Sequence, residues 1–247
     1  MKTYLLQILI LLTLSGCAKE GGDIQFVNLE GEFIVSASQG LSAEGPHFLL
    51  HIQTVDEQNC DASEIKISLQ TVESGTDIVI ENIVLIDDCP SEKGVVFKDV
   101  ELPITQAVSD LSVSLRDVVK NKGQLFTSEN QHTLVFNSME GLFLGRQAVN
   151  RITTDMVFGY VYDKDAQYEI EQILQEYNMG TVNDGDYALF KKEGNNISLN
   201  STPESAMGRN LVLKIEDSEE FNTRIHELRG TYPNAEINLV NAYGDTL

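Results

Sequence analysis

Between Asp23 and about Asn137 the apolar residues fall at every second position, and this pattern narrows the possible folds more than any other feature of the chain. Glu64 to Thr71 sets Ile65, Ile67 and Leu69 against Lys66, Ser68 and Gln70, and Asp110 to Arg116 sets Leu111, Val113 and Leu115 against Ser112, Ser114 and Arg116. A period of two sends successive side chains to opposite faces, so each run reads as a half-buried strand and not as a helix. Further strands are expected at Phe33–Ser38, Phe48–Val55, Ile78–Ile86, Gly94–Leu102 and His132–Phe136. Turn clusters at Glu73-Ser74-Gly75-Thr76-Asp77 and Asn121-Lys122-Gly123 separate them. Seven or so short strands with regular turn punctuation predict an all-β antiparallel sandwich over residues 24–137.

After Asn137 the period changes. Met156–Tyr162 is a β-rich run, followed by Ala166, Ile170, Ile173, Leu174 and Tyr177, which form one apolar stripe on a helix. Asp163 or Asp165 can cap that helix, and Asn178-Met179-Gly180 ends it. Strands are expected near Asp186–Lys192 and Ile197–Asn200, with a turn at Glu193-Gly194-Asn195-Asn196. The pattern then recurs. Asn210–Ile215 is a strand, Asp217-Ser218-Glu219-Glu220 opens a helix with acids in its first turn, and Phe221, Ile225 and Leu228 form its stripe. Gly230 stops it before a last strand at Ala235–Val240. Two strand–helix–strand units in series predict an α+β, ferredoxin-like domain over residues 155–247. Between the halves, residues 138–154 carry Leu142, Phe143, Leu144, Val149 and Ile152, too apolar for a free linker, so this interdomain segment is expected to pack against one half or fix the angle between them.

The amino terminus carries an address. Lys2 precedes an apolar run from Leu5 to Leu12, interrupted only by Gln7, and Leu14-Ser15-Gly16-Cys17 closes it. The run is short of the ~20 residues a spanning helix needs and has the proportions of a cleaved export signal. Leu14-Ser15-Gly16-Cys17 resembles the lipobox of bacterial lipoproteins. The resemblance implies diacylglyceryl transfer to the Cys17 sulfur, cleavage of residues 1–16 and acylation of the new amine, because several acyl chains make a durable anchor where one does not. In that family's pattern Ala18, standing where Asp favours inner-membrane retention, points to the outer membrane. Residues 17–23 then read as a tether.

Composition excludes several partners. Without Lys2 the chain keeps 16 basic and 38 acidic residues, a net charge near −22. Such a body repels polyanions, so nucleic acid is not an expected partner, and no basic cluster larger than Lys191-Lys192 is present to hold anionic headgroups. The expected partners are the membrane, through lipid, and a protein of the cell envelope. With Cys17 acylated, Cys60 and Cys89 remain, and in an oxidising compartment they are expected to form a disulfide closing a loop of about 30 residues, worth ~3 kcal/mol.

The stretch from Leu111 to Gly123, with its alternating strand, Asp117 and Asn121-Lys122-Gly123, resembles the closing hairpin of bacterial Ig-like domains. The resemblance implies a spacer or binding platform. No Trp is present to supply the buried tryptophan of such domains.

A search for chemistry finds no assembled set. His47 and His51 share a strand face, His132 and His226 stand apart, and no nucleophile elbow, phosphate loop or dinucleotide glycine pattern occurs. Asp163-Lys164-Asp165 with Glu169, and Asn183-Asp184-Gly185-Asp186, are the best calcium candidates, but helix capping and a tight turn explain them better. The expectation is therefore no catalytic residue, no metal and no cofactor. The function expected is that of a non-catalytic, lipid-anchored envelope lipoprotein acting as a binding or scaffold module. Alternatives are an inhibitor or chaperone of a secreted hydrolase through the C-terminal domain, or a peptidoglycan-binding accessory.

Overall fold

The computed structural model describes residues 32–58, 63–72, 74–84, 93–116, 118–200 and 208–247. The expectations for Cys17, Cys60 and Cys89 lie outside these residues. The described chain is mostly β, arranged in several sheets with two helices.

Among the described residues ten strands build the first half: β1 (Phe33–Ser42), β2 (Gly45–Thr54), β3 (Glu64–Val72), β4 (Gly75–Val84), β5 (Phe97–Glu101), β6 (Val108–Leu115), β7 (Val119–Thr127), β8 (Gln131–Phe136), β9 (Leu142–Leu144) and β10 (Ala148–Asn150). They form a four-stranded sheet in the order β5-β2-β1-β9 and a six-stranded sheet in the order β10-β8-β7-β6-β4-β3. Neighbours are antiparallel except β1–β9 and β4–β6, which are parallel. The alternation read from sequence decides what is buried. Phe33, Val35 and Ala37 of β1 and Phe48, Leu50 and Ile52 of β2 share one apolar core with Ile65, Ile78, Val113, Leu115 and Leu134 of the other sheet.

The expected turn at Asn121-Lys122-Gly123 is instead the middle of β7. The chain reverses earlier, around Arg116–Val118, where Arg116 takes a left-handed φ of 53°. Both turn-like residues serve the strand. Asn121 is fully buried; its Oδ1 accepts from Glu140 N at 2.7 Å and its Nδ2 donates to Glu140 O at 2.9 Å. At Gly123 a Cβ would stand 2.5 Å from the Val135 carbonyl oxygen, so the glycine is required by close approach to β8 rather than by a turn.

The segment 138–154 is built into the sandwich. It gives β9 to the edge of one sheet and β10 to the edge of the other. Beyond them, Ile152 N donates to the buried Gln39 Oε1 at 2.8 Å.

The second half contains β11 (Met156–Tyr162), α1 (Gln167–Gln175), β12 (Gly185–Asp186), β13 (Phe190–Glu193), β14 (Asn196–Leu199), β15 (Arg209–Lys214), α2 (Ser218–Thr231) and β16 (Glu236–Asn241). β11 is central in an antiparallel sheet ordered β15-β11-β16. The crossover β15–α2–β16 thus passes over β11. The first expected unit does not close in the same way: after α1 the chain enters a separate antiparallel sheet, β12-β13-β14. Lys191, Lys192 and Glu193 supply too little apolar surface for a strand buried within the main sheet.

Ile170 and Leu174 of α1 and Phe221, Ile225 and Leu228 of α2 pack on Val157, Val161, Leu211, Leu213, Ile237 and Leu239. The opposite face of β11, Met156 and Phe158, meets Val182, Tyr187, Phe190 and Val212, with Leu41 and Ile152 joining from the first half. Asp163 Oδ1 accepts from Asp165 N and Ala166 N at the entry to α1, and Asp217 Oδ1 accepts from Glu219 N and Glu220 N at the start of α2. Asp217 is thus the expected side-chain cap of α2, whereas α1 starts at an N-cap of Ala166 with no side-chain cap bond, and Asp163 closes only the turn before it.

Candidate binding groove

A groove of about 1030 Å³ lies between α1, the loop 178–182, the β13–β14 hairpin and β15. Its lining is rich in carboxamides: Gln172 and Gln175 from α1, Asn178 from the loop, Asn195 and Asn196 from the hairpin, and Asn210 from β15. Two of these hold the walls together. Asn178 Oδ1 accepts from Lys214 N at 3.0 Å, and Asn210 Nδ2 donates to Ile197 O at 2.8 Å, joining β15 to β14. Gln172, Asn195 and Asn196 are exposed on the walls.

Charges in the groove come in pairs. Arg209 Nε stands 2.5 Å from Glu171 Oε2, and Lys192 Nζ stands 2.7 Å from Asp184 Oδ1. Arg209 approaches at an angle that makes an ion pair without an aligned hydrogen bond, so the buried Glu171 Oε2 has charge compensation but no hydrogen-bond donor. The Lys192 ammonium, with the Gly194 N–H, holds the Asp184 carboxyl below its ordinary range. A carboxamide both donates and accepts, whereas a paired ion offers little net charge. The groove therefore suits a neutral ligand carrying hydroxyl and amide groups better than it suits an ion.

The residues singled out by sequence are scattered. His47 and His51 lie on the outward face of β2. His51 Nδ1 is 2.7 Å from Asp99 Oδ1, and its ring lies 5.5 Å from that of Phe97. His132 is buried against Phe48, with ring centroids 5.1 Å apart, and its Nδ1 is 3.0 Å from Thr127 Oγ1. Burial, with Arg151 nearby, pushes its imidazole down to about 4. His226 is exposed on α2.

Asp163 closes the turn leading into α1, and its bonds from the Ala166 and Asp165 N–H groups lower its pKa. Asp165 is exposed beside it, while Glu169 lies near Tyr232 and holds its phenol above its ordinary range. Asp184 faces Lys192, not Asp186. Among the described residues no three His, Cys, Asp or Glu side chains gather as a metal would require. A second depression carries Glu176, Glu216, Asp217, Glu219 and Glu220, where the start of α2 favours acids without any ligand.

Sequence reasoning missed the groove. Its lining comes from positions 171 to 212 on four different elements, and no local motif joins them. No family model matches the chain, and no curated protein and no solved structure matches it.

Proposed function

We propose that this is a non-catalytic, lipid-anchored protein of the bacterial cell envelope. In this reading an Ig-like sandwich carries a ferredoxin-like module, with β12-β13-β14 in place of an edge strand. Cys17 bears the lipid at the outer membrane, and Cys60 pairs with Cys89 in the oxidising compartment. The module acts in binding, and its ligand is the neutral, hydroxyl- and N-acetyl-bearing glycan of the cell wall.

The observation that carries this reading is the carboxamide-lined groove, whose free amides can both donate to and accept from such a polymer. Typical hydrogen bonds contribute about 0.5–1.5 kcal/mol each. Losing two of them should weaken binding roughly tenfold.

The test uses the mature chain without its lipid, sedimented with purified cell-wall sacculi. The protein should pellet with the sacculi, and a double variant Gln172→Ala, Asn196→Ala should stay largely in the supernatant with its fold intact. If the unaltered protein stays in the supernatant, the cell-wall reading is abandoned. Cys17→Ser in cells should move the protein from the membrane to the soluble fraction, which tests the anchor separately. Cys60 and Cys89 should resist alkylation until the protein is reduced.

A further inference from the structure

Among the described residues, several sheet edges are protected against pairing with another chain, and that of β3 is not. β9 and β10 are three residues long, β5 carries Lys98, Asp99 and Glu101, and β16 is covered by the chain end, where Leu247 N donates to Leu239 O. At β15, Met179 N donates to Lys214 O and Asn178 caps the facing N–H. Short strands, charges and covering loops are the usual means of blunting an edge. β3, the last strand of the six-stranded sheet, has none of these over Ile67-Ser68-Leu69-Gln70-Thr71-Val72. These are six uncharged residues in a chain of net charge −21, and Leu69 and Val72 are 51% and 44% exposed.

Hydrogen-bond parity shows which groups that edge offers. Asp110 N donates to Ser74 O and Arg116 N donates to Ile80 O, so the even-numbered residues of β4 face β6. Gly75, Asp77 and Val79 therefore face β3 and bond to their partners Val72, Gln70 and Ser68. The backbone N–H and C=O groups of Ile67, Leu69 and Thr71 are left pointing outward, and among the described residues no strand pairs with them.

We propose that two copies of this chain join β3 to β3 as an antiparallel pair with its two-fold axis at Leu69. In that register Leu69 bonds to Leu69 of the second copy, and Ile67 bonds to Thr71 in both directions. Ser68 stands opposite Gln70, and Lys66 opposite Val72, so no like charges meet.

A second copy fits this uncharged edge better than a partner selected by charge does. Two bodies of charge −21 repel wherever their acidic surfaces meet, and a partner selected by this protein's charge would be cationic. The β3 edge offers a cation nothing, whereas it matches itself by construction. The contact is isologous and consumes the edge on both sides, so it closes at two copies instead of growing into a fibre.

The experiment is sedimentation of the mature, lipid-free chain over a wide concentration range, with amide hydrogen exchange at low and high concentration. The expected result is a concentration-dependent doubling of mass, with slowed exchange at Ile67, Leu69 and Thr71. Leu69→Lys should leave the fold intact and abolish the doubling. Thr71→Lys, which puts a charge on the same edge without touching the core, should do the same and serves if Leu69→Lys fails to fold. A monomer at every concentration overturns the proposal. So does a dimer that leaves exchange at these three residues unchanged, or one that persists in both lysine variants.

Discussion

The two halves of the molecule bury different chemistry. Gln39, Thr54, Ser63, Thr76, Ser109, Ser112, Ser114, Asn121 and His132 are the buried polar side chains among the described residues, and all precede residue 133. After that point the described cores are apolar apart from the Tyr187 hydroxyl, which donates to Asn183 O. The sandwich uses its polar side chains as ties to irregular backbone: Asn121 to Glu140, Gln39 to Ile152, and Thr54 to Val96 N at 3.0 Å. The second half has two amphipathic helices that supply their own backbone hydrogen bonds, and its side-chain ties to backbone, such as Asn178 to Lys214 N and Asn210 to Ile197 O, are only part-buried. A sandwich with short edge strands has no such self-sufficient element, so buried side chains must satisfy the backbone.

The sharpest way to break this contrast is to delete from each core in turn. Phe221→Ala empties a fully buried site beneath α2 and should cost about 3–5 kcal/mol, read from the denaturant midpoint. Asn121→Leu keeps the volume but strands the Glu140 N–H and C=O, and should cost about 2–3 kcal/mol with faster amide exchange along β9. If that variant were as stable as the parent, the tie at Asn121 would be decorative and the contrast would fail.

The buried histidine adds a pH signature confined to the first half. Its folded value of about 4 lies below its ordinary 6.5, so the unfolded chain takes up the proton first. Stability should be constant above pH 6.5 and fall between 6.5 and about 4, by on the order of 2–3 kcal/mol in all. His132→Leu should flatten that slope. The smallest effect belongs to the second half: Asp217→Ala removes the acceptor for Glu219 N and Glu220 N and should cost about 1 kcal/mol.

Much of this architecture is visible in the sequence. Alternation locates β1, β2, β3 and β6 to within a few residues, and the stripes Ile170–Leu174 and Phe221–Leu228 locate both helices, with the aspartate cap Asp217 at the second. The misreading at Asn121-Lys122-Gly123 has a physical cause. Asparagine and glycine favour turns for local reasons, but here Asn121 is held by Glu140, 19 residues away, and Gly123 by the β8 backbone. Neither contact leaves a mark within the tripeptide. β9 and β10 are three residues each, too short for any period to register. The groove is invisible for the same reason on a larger scale, since its walls meet only after the sheet has formed.

The last two edge strands of the sandwich also set a timetable. β9 pairs with β1 across about 110 residues of chain, and Gln39 waits for Ile152 across 113. Synthesis at ~5–20 residues per second separates the appearance of β1 from that of β9 by roughly 5–20 s. For that interval one edge of β1 has no neighbour, and β8 then waits for β10 across about 17 residues, roughly 1–3 s, however well the rest of the sandwich has collapsed. A chain cut at residue 137 would stay in that state permanently. The smallest piece able to complete both sheets therefore reaches to about residue 152.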